Sequence, residues 1–227
     1  MLYEQPTPTF MEASLASRKG ATEMARGNYV KSVQAFRQAL LILKSAVDSN
    51  ADLPCLQSWR LTTMPVPIQQ EEEGATYSSS CAMFCRFFLI MPMPCHEKIP
   101  TNDKVALFSA ALLFNIALVH QLNVSSATSD SSRAVSDTAM CLYARSMQLL
   151  QGHLDRTSDG AALMLAVSNN MATLALENMD WASFSAYRSM MGYYLAITNT
   201  TGAFHAHLFA GNLSATENAY RRPAPAA

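Results

Sequence analysis

Six prolines, at positions 54, 65, 67, 92, 94 and 100, fall between residues 51 and 100 and divide this chain. A proline has no amide hydrogen to give a helix interior, and its ring collides with the preceding turn, so no long helix crosses this region. The sequence on both sides carries helical periodicity instead. The chain therefore reads as mainly α, with about six helices in antiparallel pairs and a non-helical insert over 51–100.

Before the insert, Thr9 and Glu12 have the spacing of a capping box, in which each side chain satisfies a free N–H at a helix start. A first helix is expected over 9–26, broken by Gly27 and Asn28. In the second, Tyr29, Val33, Phe36, Leu40, Leu43 and Val47 alternate steps of four and three along one apolar stripe. A short turn between them makes an antiparallel hairpin.

Inside the insert two patches read as extended, 59–63 and the aromatic-rich Met-Phe-Cys-Arg-Phe-Phe-Leu-Ile-Met at 83–91. Paired with each other, they predict a small β-hairpin with the glutamate-rich stretch 70–74 at its tip. After the insert Thr101 or Asn102 is placed to cap a third helix over 103–122. That helix is apolar nearly all round and belongs at the centre of the bundle. A Ser/Thr-rich loop over 124–132 leads to a fourth helix, 133–151, ended by Gly152. Ser158 and Asp159 can cap a fifth helix to 178, and Asp180 a sixth to 196. The chain reads as one domain over 1–227, with a flexible tail at 212–227.

Small and aromatic residues recur within these pairs. Gly20 lies within the first helix, and Ser32, Phe36 and Ala39 follow in the second as small, aromatic, small. Ala139, Tyr143 and Ser146 repeat the pattern. Asn115-Ile116-Ala117 is echoed by Asn170-Met171-Ala172, and Trp181 opens the sixth helix, although Phe184 stands where a small residue is expected. A small residue admits a neighbouring helix closely, and an aromatic one turn on fills the space beside it. In this the chain resembles tetratricopeptide (TPR) helical repeats, units of about 34 residues built as helix pairs. The insert between the first and second pairs, and the loop within the second, depart from a regular array.

The resemblance implies a binding surface on the first helix of each pair. Carried onto this chain, the partner-binding residues are Phe114, Asn115, Leu118 and Gln121, with Asn169, Asn170, Thr173 and Glu177. The family often captures a partner's C-terminal carboxylate there with basic side chains. Between 105 and 121, and between 161 and 178, this chain has none. What remains is a weakly polar surface suited to a peptide or another helix.

Chemistry finds little support. GxGxxG, GxxxxGK[ST], HExxH, CxxC and Gly-x-Ser-x-Gly are all missing, so no cofactor is expected, neither nucleotide nor metal, and no catalytic triad. Cys81, Cys85, Cys95 and His96 lack the spacing of a zinc finger or ribbon. With five cysteines and no signal-peptide pattern at the N-terminus, the thiols are expected reduced and structural, in the cytoplasm or nucleus. Only 15% of the residues are charged and the net charge is -1, without the basic clusters that phosphate contacts need, which excludes nucleic acid as the expected partner. The apolar run 105–119 is short for a bilayer, so no membrane is expected either.

The expected function is protein–protein interaction or scaffolding without chemistry, the partner being another protein or a peptide. The alternative is a helical domain binding a small molecule or lipid in an apolar cavity lined by the third helix, with enzymatic activity possible. A shallow groove with a solid core separates the first from the second.

Overall fold

The structure, a computed structural model, describes residues 8–48, 59–66, 83–92, 101–124, 129–152, 154–201 and 209. These residues are 81% helical and contain one two-stranded antiparallel hairpin. The chain divides into two compact units, 1–68 with 85–155, and 69–84 with 156–227.

The first unit holds four helices, α1 (Pro8–Ala25), α2 (Tyr29–Asp48), α3 (Thr101–Val124) and α4 (Ser129–Leu150). It also holds the hairpin strands β1 (Trp59–Pro65) and β2 (Arg86–Pro92). α1 packs on α2 and α3 on α4, and α2 packs directly on α3. The four helices thus form a continuous frame, and β2 lies against α1 and α3.

Steric fit at the expected small positions sets these pairings. A Cβ added to Gly20 would come within 2.9 Å of three ring atoms of Phe36, so only glycine admits the ring at this depth. Ser32 Oγ donates to the Gly20 carbonyl (2.8 Å), tying α2 to α1. In the second pair Ser146 Oγ donates to the Ala110 carbonyl (2.8 Å), tying α4 to α3. Ala39, Ala139 and Tyr143 are fully buried beside these contacts. The apolar α3 is the core helix: its span 102–123 has the length and hydropathy of a membrane-crossing segment, yet 72% of its most apolar window is buried.

The hairpin runs in register from Trp59 opposite Pro92 to Pro65 opposite Arg86. Phe87, Phe88, Leu89 and Ile90 are all buried. That accounts for the weak alternation of this stretch, since a strand covered on both faces has no polar side.

The second unit contains α5 (Ser158–Glu177) and α6 (Trp181–Thr201), packed as a pair, with Met83 and Phe84. Phe84 stacks on Phe209 with ring centroids 4.9 Å apart. α5 is buried at every residue from Ala161 to Ala175.

Several boundaries differ from those read in the sequence. The cap of α5 is Thr157, not Ser158 or Asp159, because Thr157 is extended and its side chain accepts from Gly160 N–H (3.1 Å). α3 takes in both Thr101 and Asn102, one or the other of which was expected as its cap. α4 begins at Ser129 and α6 continues to Thr201, so the helices claim residues assigned to loops. Asp180 does cap α6, accepting from Ser183 N–H (3.1 Å). The expected hairpin tip at 70–74 and tail at 212–227 lie outside the described residues.

Two helix turns share one geometry. Asn28 N–H bonds the Glu23 carbonyl and Gly27 N–H that of Met24, with Gly27 at φ 75°. After α5, Asp180 N–H bonds the Ala175 carbonyl and Met179 N–H that of Leu176, with Met179 at φ 56°. One turn has the glycine this conformation favours; the other holds a methionine in it.

Candidate functional site: asparagine grips on an extended segment

Seven of the eight sequence-expected binding residues are found inside the protein rather than on an open surface: Phe114, Asn115, Leu118, Gln121, Asn169, Asn170 and Thr173 are buried, while Glu177 is exposed. The polar ones hold the chain's own backbone or their neighbours.

In the first unit Asn115 faces the backbone of Phe88. Its Nδ2 donates to the Phe88 carbonyl (2.7 Å), and its Oδ1 accepts from the Phe88 N–H (2.9 Å). Strand geometry explains the fit. Backbone groups of an antiparallel strand alternate between its two edges. Cys85 turns its carbonyl to β1, where Val66 N–H bonds it (3.1 Å), so Phe88 and Ile90 turn theirs toward the helices. The Ile90 carbonyl is taken by Ser14 Oγ of α1 (2.6 Å). A buried strand edge without such partners would leave polar groups unsatisfied, at a cost of several kcal/mol.

Aromatic side chains receive the same segment. Phe87 packs on Phe36 of α2 and Phe88 edge-on to Phe114 of α3, both at 5.3 Å between centroids. Phe114 contacts Tyr143 of α4 at 5.4 Å. Tyr143 in turn donates from its hydroxyl to Gln121 Oε1 (2.9 Å), which orients both side chains. Leu118 fills the same helix core.

The second unit repeats the grip. Asn170 Oδ1 accepts from Phe84 N–H (2.8 Å), and its Nδ2 donates to the Phe84 carbonyl (3.3 Å). Asn169 Nδ2 donates to Asn170 Oδ1 (3.1 Å), and Thr173 Oγ1 donates to the Asn169 carbonyl (3.1 Å). Glu177, at the end of α5, makes no contribution to this grip; partial desolvation raises its carboxyl above the ordinary carboxylate range.

Sequence reasoning singled out both asparagines but not what they hold. It missed Ser14, for which no signal existed, and Lys104. The latter is buried in the first turn of α3, with Nζ 3.4 Å from the Trp59 carbonyl. In each unit, taken by itself, an asparagine of the repeated Asn-x-Ala meets a residue of the aromatic stretch 83–91, and the sequence showed the two features only separately.

Three further titratable groups among the described residues stand apart from this grip. Burial pushes the Cys85 thiol up to about 11, which makes it a poor nucleophile at neutral pH. Cys141 is exposed. Burial, with Arg37 nearby, holds His120 below its usual pKa. Among the described residues no three metal-ligating side chains gather; Cys81, Cys95, His96, His205 and His207 lie outside them. No protein-family model, no curated protein and no solved structure matches this chain.

Proposed function

We propose that this chain is a protein–protein interaction or scaffolding module of tetratricopeptide-like helix pairs, with no chemistry of its own. The observation that carries the reading is the two-bond grip of Asn115 on the backbone N–H and C=O of Phe88. It engages the backbone rather than a particular side chain, which is how a helical surface holds an extended polypeptide. Gly20 under Phe36, and the serine ties of both pairs in the first unit, further support a TPR-like construction.

The partner on this reading is another protein or a peptide, met in the cytoplasm or nucleus; neither nucleic acid nor a membrane is its target. Cross-linking the full chain in its native cells, followed by mass spectrometry, tests this. Reproducible cross-links from lysines of this chain to one or a few defined proteins are expected. A chain that forms no cross-link beyond its own, or that turns over a metabolite when purified, would overturn the reading.

A further inference from the structure

The extended segment 86–92 has the features of a bound ligand. Its backbone is read by side chains of two helices, Asn115 on Phe88 and Ser14 on Ile90. Its phenyl rings enter sites on α2 and α3, Phe87 against Phe36 and Phe88 against Phe114. The frame that holds it does not depend on it for continuity, because α1 packs on α2, α2 on α3 and α3 on α4 directly. Amide grips of this kind distinguish an extended peptide unit from other conformations but do not distinguish one sequence from another.

We infer that residues 86–92 are a ligand bound in cis, which closes the peptide groove of the first unit until the segment is released as one piece with β1, paired along its other edge. The groove then takes an extended segment of a partner with adjacent aromatic and aliphatic side chains, the chemistry of Phe87-Phe88-Leu89-Ile90. This rests on the interaction-module reading and adds regulation to it. Asn115 and Ser14 are the latch. Partner binding and release are linked, so a partner shifts the population only as far as it outbinds the resident segment.

Native-state hydrogen exchange on the full chain tests release directly, since cooperative segments that open below the global transition exchange ahead of it. Amides of 86–92 should exchange at least about tenfold faster than those of α3, with a weaker dependence on denaturant. Two variants separate the possibilities. Asn115→Ala removes an interaction lost when the segment leaves, so it should speed exchange of the segment and of α3 alike. Ser146→Ala removes the α4–α3 tie, which the opened state keeps, so it should speed α3 and leave 86–92 unchanged.

Exchange of the segment only in step with α3, in wild type and in both variants, would overturn the inference: the strand would be an inseparable part of the core. A segment that responds to Ser146→Ala, or that ignores Asn115→Ala, would overturn it as well. None of these results touches the interaction-module reading, which the cross-linking experiment decides on its own.

Discussion

The carboxamide of Asn115 forms a closed pair of hydrogen bonds with the N–H and C=O of Phe88, at 2.9 and 2.7 Å, deep inside the first unit. Both backbone groups lie on the strand edge that faces away from β1, where no described strand pairs with them, so the side chain takes the place of a ladder. Asn115→Leu keeps the branched shape of the side chain, with somewhat larger end groups, and removes both bonds. With each of the two unsatisfied buried groups costing about 1–3 kcal/mol, a loss of roughly 2–6 kcal/mol is expected in denaturant titration. A loss below about 0.5 kcal/mol, the usual range for surface changes, would show the pair to be energetically idle.

Gly20→Ala places a methyl 2.9 Å from the Phe36 ring, which is itself fully buried. Overpacking of this kind costs about 1–3 kcal/mol. Phe36→Leu in the same background should recover part of that loss, because the clash is with the ring. Strict additivity of the two changes in a double-mutant cycle would locate the strain elsewhere.

Met179 is a left-handed, non-glycine residue that is 77% exposed. Replacing it by glycine relieves the Cβ clash and gives up little packing, against the added chain entropy of glycine. A net gain of roughly 0.5–1 kcal/mol follows. Gly27→Ala, at the matching turn, should destabilise. Melting temperatures that move in the same direction for both variants would contradict the account.

His120 is held below its usual pKa by burial first and by Arg37 second, so folding favours the neutral ring. Its contribution to stability is full above the unfolded-state value of about 6.5 and is lost as pH falls through it. Denaturation midpoints should therefore fall between pH 7.5 and 5.5, and His120→Gln should shrink that fall. An equal fall in wild type and variant would assign the acid sensitivity to other groups.

Cys141 and Cys85 should differ sharply toward alkylation. At pH 8 the exposed Cys141 should react with iodoacetamide readily, while the half-buried Cys85, with its thiol raised to about 11, should react much more slowly until the protein unfolds. Peptide mapping of the modified chain reads both sites at once. Equal labelling in the native state would mean that 85 is open to solvent.

Local physics accounts for what could be read along the chain. Prolines argued against a long helix across 51–100 and left room for the hairpin strands at 59–65 and 86–92, while the stripe from Tyr29 to Val47 oriented α2. Gly20, Ser32, Phe36, Ala139, Tyr143 and Ser146 were recognisable because close helix approach demands small and aromatic residues at fixed steps. Each of these properties depends on a residue and its near neighbours in sequence. The fate of Asn115 and Asn170 does not. An asparagine on an apolar helix face is equally consistent with an open groove that awaits a partner and with a closed one. Which holds depends on whether Phe88, 27 residues away, and Phe84, 86 away, bring their backbone edges to those side chains. Hydrogen-bond partners across such separations are set when the whole core closes, and for that reason the tertiary structure alone decided that the groove is filled from within.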